Sequence, residues 1–345
     1  MNALVHGLDR ARLGWLRLLG PVATPFVRSR ELRSASSLTL SITAAFVLAA
    51  LAPLELLALG PLVLGVPHLA ADVRYLVIRP GLHRRPVFWL AVVAPLVLLG
   101  ATTSSWLGFL AVLGAALTLP GAWSPRRALV ITTALVVTLV AWWLPRTVGP
   151  VMAHLHNVIA VLFFLAWPAL TGRQRALGWH RVPLVLFALA TLAIFSGAID
   201  PLAHHIGAIA TSDGLGTPLA THEAVLSPSW LDAPTLGLRL VLFFAFAQSV
   251  HYGVWLRAVP EEDRERATPR TFRASLAALR DEGSLPVIAV FAILGAGLGI
   301  WAIVDLYEAR IGYLRGALFH GYLELAVAAA VLSTRGARLA DLRAP

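Results

Sequence analysis

Long apolar runs, separated by short joints rich in arginine, glycine or proline, repeat along the chain from residue 38 almost to its end. Ten of them approach the length that crosses about 30 Å of hydrocarbon as an α-helix. They are 38–59, 61–79, 86–104, 106–122, 127–144, 150–170, 183–203, 239–257, 285–306 and 314–333. Gly60-Pro61, Arg79-Pro80-Gly81, Pro120-Gly121 and Gly149-Pro150 punctuate the joints, as residues that interrupt helical geometry should. The run 106–122 is short, so one or two of the ten could be re-entrant. Residues 8–33 follow a different pattern. Leu8, Trp15, Leu18, Leu19 and Val22 fall roughly on one helical face among arginines, which reads as an interfacial amphipathic segment; the alternative is a disordered basic tail. The predicted organisation is a cytoplasmic interfacial segment at 1–37, a transmembrane helical domain at 38–333 and a cytoplasmic tail at 334–345. The fold class is all-α, a polytopic membrane bundle.

Composition agrees with that class and narrows the chemistry. The chain has 345 residues, 58% of them hydrophobic and 13% charged, with a mean hydropathy of +0.76, far from soluble globular composition. It has no cysteine, which excludes disulfides, thiolate metal sites and a cysteine nucleophile. The net charge of +10 comes from arginine alone. With both termini in the cytoplasm, 24 of the 28 arginines face inward, and only Arg146, Arg239, Arg310 and Arg315 face outward. That asymmetry is the positive-inside rule. It assigns the basic charge to lipid headgroups and topology, not to nucleic acid, and a bacterial inner membrane is the expected location.

Eleven histidines stand against this apolar background. Ionisable groups inside a membrane are costly and usually functional. His68, His154, His156, His251 and His320 all fall inside apolar runs, and two have a carboxylate four residues on, Asp72 and Glu324. Residues four apart share a helix face, and carboxylates commonly orient histidines that hold metals. At 1.5 Å per residue, His68 lies about 10 Å into its run, and His154, His156 and His320 roughly 6–9 Å. His251 is predicted deeper, so one centre or two remain open. His154 and His156 are about 200° apart around their helix; His154, which shares a face with Asn157, is preferred and His156 kept. Asp200, His204 and His205 cap an outer helix end as ligands, supporting groups or an interfacial cap. Gln248 and Tyr252 share the face of His251. His6, His83, His180 and His222 lie in terminal or loop segments and are expected to be solvated. Asp305, Tyr307 and Glu308 are expected to form an outer helix end with Arg310.

The segment GVPHLAAD at 65–72 resembles the Brp/Blh family of membrane enzymes that cleave β-carotene to retinal. Gly65, Pro67, His68 and Asp72 match the family's G-x-P-H-G-x-x-D pattern, with Leu69 in place of its second glycine. SVHYG at 249–253 is similar to the family's S-x-x-H-F-G segment with the serine shifted by one, and Trp255 stands where the family has a second histidine. The resemblance covers these two short motifs and the histidine-rich polytopic plan. It implies His68 and His251 as iron ligands of a non-haem dioxygenase.

The leading expectation is therefore a membrane-embedded metal centre, Fe(II) held by histidine, that oxidises a lipid-soluble substrate such as a carotenoid. Asp72 and Glu324 would act as catalytic or orienting carboxylates. A bis-histidine haem electron carrier and a His/Asp proton relay in a transporter are the alternatives. No nucleophile elbow, phosphate-binding glycine loop or H-E-x-x-H motif occurs, which leaves soluble hydrolase and nucleotide chemistry without support.

Overall fold

The computed structural model describes residues 2–119, 123–172, 178–205, 218–228, 230–231, 234–264, 268–334 and 338–342, without the side chains of residues 2, 205, 234 and 340. Among them every regular element is a helix. Seven helices are long and apolar enough to cross a membrane: Arg30–Leu51, Pro53–Ile78, Pro125–Trp143, Pro145–Leu170, Thr235–Glu262, Leu285–Val304 and Leu306–Ser333. Three shorter apolar helices, Pro86–Thr102, Ser105–Thr118 and Arg181–Phe195, occupy the other three predicted runs. The chain is thus an all-α protein with the apolar helices of an integral membrane protein.

Helix boundaries follow local chemistry more closely than the hydrophobic pattern alone. The first long helix begins well before residue 38, because Ser29 accepts a hydrogen bond from the Leu32 amide at 3.1 Å and caps it. It ends at Leu51, not at Gly60-Pro61. Ala52 is held out of helical geometry (φ −151°, ψ 55°) immediately before Pro53, where the proline ring disfavours the α conformation. Pro61 instead sits within the next helix, in a π-helical stretch over Pro61–Gly65 whose wider hydrogen-bonding pattern accommodates a missing N–H. In the same way the Pro145–Leu170 helix runs through Pro150 and starts five residues earlier than the joint Gly149-Pro150 predicts. Asp305, extended between two helices, caps the second by accepting from the Glu308 amide at 2.9 Å.

The helix Leu285–Val304 contributes no buried residue, as expected of an element that faces lipid. The opposite extreme is Thr235–Glu262, which is mostly buried and forms the axis of the bundle. An arginine-rich end is tied by ion pairs. Arg33 donates to Glu261 through Nε and a terminal nitrogen at 3.0 and 2.7 Å, and Arg264 forms an ion pair with the other oxygen at 2.9 Å. Arg74 pairs with Glu282 at 2.7 Å, and Arg79 pairs with Asp263. The N-terminal helix Asn2–Leu19 leaves Leu4, Leu8, Leu13, Trp15, Leu18 and Leu19 exposed. It is pinned through Asp9 to the amide of Phe272 at 2.6 Å and through Arg12 to the carbonyl of Arg270 at 2.7 Å.

Candidate metal centre

Four helices bring their histidines to one place. His68 comes from Pro53–Ile78, His156 from Pro145–Leu170, His251 from Thr235–Glu262 and His320 from Leu306–Ser333. The ring of His68 lies 4.8 Å from that of His320 and 5.1 Å from that of His251. His156 lies 5.3 Å from His251 and 5.1 Å from His320. One potential ligand atom from each of His68, Asp72, His251 and His320 falls within 4.8 Å of the others. Ligands held about 2.1 Å from a metal stand about 4.2 Å apart when opposite each other, so this set is close to, and somewhat wider than, a coordination sphere.

The expected shallow layer with His251 beneath it is not what forms. All four rings lie about 16–24 Å from the N-terminal ends of their helices at 1.5 Å per residue. The reason is the earlier starts at Pro53, Pro145, Thr235 and Leu306, which lower the first, second and fourth rings to the level of His251. The preference for His154 is also reversed. His154 stacks on Phe243 at 5.9 Å and its Nε2 meets the Leu226 carbonyl at 3.0 Å, whereas His156 faces the cluster. Gly321 makes room for it, since a Cβ there would come within 2.8 Å of His156 Cβ.

Two of the rings have their proton positions set by their own helices. Nδ1–H of His156 donates to the Met152 carbonyl at 3.2 Å, and Nδ1–H of His320 donates to the Ala317 carbonyl. That tautomer leaves Nε2 with its lone pair. The other rings and the carboxylates are different. Both nitrogens of His68, both of His251, both oxygens of Asp72 and Oε2 of Glu324 are buried without a hydrogen-bond partner. The contacts of His68 with Asp72 and of His251 with Glu324 are 3.9 and 3.8 Å, too long for hydrogen bonds. Each buried orphan costs about 1–3 kcal/mol, so seven together rival the ~5–15 kcal/mol net stability of a typical domain. A bound cation would satisfy one nitrogen of each ring and an oxygen of Asp72. The donor set, imidazole and carboxylate without sulfur, suits iron, zinc, manganese or copper(II).

Supporting residues fix the arrangement. Trp255 donates from Nε1 to Glu324 Oε1 at 2.7 Å. Its position four residues after His251 places both on one face, which is the signal that points to it in the sequence. Tyr252 lies against His68 at 4.7 Å. Gly65 faces the Tyr313 ring, where a Cβ would overlap it. Asn157 is buried and bonds its own helix at the Ala153 carbonyl, 3.1 Å away. Asp200 lies elsewhere, taking two hydrogen bonds from Arg239 at 3.1 and 3.0 Å; His204 is exposed, and the side chain of His205 lies outside the described residues. π-helical stretches flank the clustered residues, before His68 at Pro61–Gly65, after Asp72 at Val73–Ile78 and after His251 at Val254–Ala258, as is frequent at functional sites.

A cavity of about 460 Å³ reaches the cluster, with His156 and His320 in its wall. Leu57, Leu99, Met152, Leu226 and Phe244 give it apolar sides, and Gln248 and Tyr252 also line it. Two histidines expected in solvent are in fact buried. His180 meets Glu262 at 3.0 Å, and His222, on the short helix Leu219–Leu226, accepts at Nδ1 from Arg310 at 3.3 Å. Arg310 is therefore a buried residue of the cavity wall, not part of an exposed helix end. Burial, and then the Arg310 guanidinium, hold the His222 imidazole down at about 4, against an ordinary 6.5. The folded protein excludes a proton that the unfolded chain accepts, so this contribution to stability is complete above about pH 6.5 and lost toward pH 4. His222→Gln is expected to flatten the acid-side fall in melting temperature across that window; an unchanged fall would refute the assignment.

No family model matches the chain, and neither a characterised protein nor a solved structure does.

Proposed function

We propose that the protein is an inner-membrane oxidoreductase whose non-haem iron is held by His68, His156, His251 and His320 with Asp72, and which acts on a lipid-soluble substrate. The observation that carries the reading is the convergence of orphaned imidazole and carboxylate atoms in one buried cluster beside an apolar cavity. Iron in this site would supply the redox chemistry for oxidising an apolar chain. The protein's own part is positional. Backbone carbonyls fix the tautomers of His156 and His320, Trp255 orients Glu324, and apolar walls keep water from the reacting chain. The resemblance at residues 65–72 and 249–253 makes a carotenoid one reasonable substrate. The rings of His68 and His156 lie only 4.8 and 5.1 Å from that of His320, too close for a porphyrin to pass between them, which argues against haem. In this reading the ten apolar helices all cross, the arginine-rich end faces the cytoplasm and both termini lie on that side.

Metal analysis of detergent-purified protein, with an absorption spectrum of the same sample, tests this directly. About one iron per chain without a Soret band is expected. Protein that stays metal-free after reconstitution with iron or zinc would overturn the reading and favour a proton relay, measurable as pH-dependent flux in proteoliposomes.

A further inference from the structure

The axial helix Thr235–Glu262 presents Phe244, Gln248 and Tyr252 to the cavity, residues four apart and so on one face. Two of the three are aromatic and suit an apolar wall. Gln248 does not. It is 8% exposed, and its side-chain amide makes no hydrogen bond to any described residue, nor is it sealed within packed protein, which leaves it open to the cavity. The histidines of the wall are engaged: His156 and His320 with their own helices, His222 with Arg310. A leucine would fill the place of Gln248 at no polar cost, whereas an amide withdrawn from water without a partner is destabilising. Polar groups in such a segment are usually functional. We propose that Gln248 recognises a hydroxyl group, so that the cavity takes a neutral long-chain alcohol with its oxygen beside the histidine cluster. That the oxygen meets a metal there rests on the metal-centre reading; the recognition of the hydroxyl does not.

The chemistry of the amide selects the class of ligand. It offers N–H donors at one end and a carbonyl acceptor at the other. A hydroxyl both accepts and donates, and so can satisfy both ends. A ketone, aldehyde or ether only accepts, and leaves the amide carbonyl without a partner. A hydrocarbon satisfies neither end. Gln248 precedes His251 by three residues, roughly 4.5 Å along the helix at 1.5 Å per residue, so an oxygen held there lies within a turn of the cluster. The chain then runs along Leu57, Leu99, Leu314 and Leu318. At roughly 30 Å³ per water in the liquid, and about as much per methylene, a cavity of about 460 Å³ encloses a chain of about 15 carbons.

The test is binding of tritiated 1-pentadecanol to chelator-treated protein in a non-ionic detergent, with unlabelled pentadecanol, its methyl ether and pentadecane as competitors. Each affinity is corrected for partition of the competitor into the same detergent without protein. Pentadecanol is expected to bind about tenfold more tightly than pentadecane, the effect of a neutral hydrogen bond and the unpaired group it prevents, with the ether between them. Gln248→Leu is expected to abolish the preference without weakening pentadecane, and Gln248→Met serves the same comparison should the leucine variant not fold. Equal affinities of alcohol and hydrocarbon for the wild-type protein, or no saturable binding of the alcohol, would overturn the proposal without any variant. A preference that survives the substitution would overturn it too, as would equal weakening of both ligands, which would make Gln248 a packing residue. Because the assay needs no metal, iron-loaded protein that ignores the hydroxyl fails only this proposal. Metal-free protein that prefers the alcohol fails only the iron reading.

Discussion

Replacing His251 by alanine is expected to leave purified protein with about a tenth or less of the wild-type iron, since even groups that merely orient ligands change metal affinity by about 10–100-fold. His251 contacts the rings of His68, His156 and His320, so its loss opens the centre of the cluster. Oxidation of substrate should fall with metal content. The informative control is His154→Ala. That ring lies against Phe243 and Phe244, and its removal should cost packing while metal content stays near the wild-type level. Elemental analysis of the two variants decides the matter. Equal metal loss from both, or from neither, would mean that the converging rings are not the ligands.

If the proposed metal centre holds, removing the metal should lower stability as well as activity. With free metal a thousandfold above its dissociation constant, binding stabilises the folded state by about 4 kcal/mol. On the metal-centre reading, chelation would withdraw that and leave ligand atoms of His68, Asp72 and His251 unsatisfied in the buried cluster. The melting temperature, followed by the fluorescence of the 11 tryptophans, should drop on chelation and recover on adding iron. The gap between the two states should shrink on acidification, because protons compete with the metal for imidazole and carboxylate. Identical melting with and without chelator would show that the cluster satisfies itself by some other means.

How much of this was legible beforehand divides along physical lines. Each apolar run corresponds to an apolar helix, because hydrophobic length is a property of the segment itself. Boundaries were less legible: Ala52-Pro53 breaks the chain and Gly60-Pro61 does not, and the difference lies in whether a neighbouring turn can widen around the proline. The pairs His68/Asp72 and His320/Glu324 were readable from spacing, since four residues define a shared face. Rotation of a helix about its axis was not readable. It separates His156 from His154, and it depends on neighbours such as Gly321 and Phe243 that arrive from distant segments. The burial of His180 and His222 was hidden for the same reason. Their partners Glu262 and Arg310 are 82 and 88 residues away.

The π-helical stretches on either side of His68 and Asp72 make the angular phase of that short segment a separate variable from the course of its helix. Each residue advances an α-helix by about 100°, so a deletion in a regular stretch ahead of His68 would swing His68 and Asp72 by more than a quarter turn. A deletion within Pro61–Gly65 would instead let the wide turn close into regular helix, which absorbs most of that rotation. At this point in the chain the helix can lose a residue and still keep the imidazole aimed.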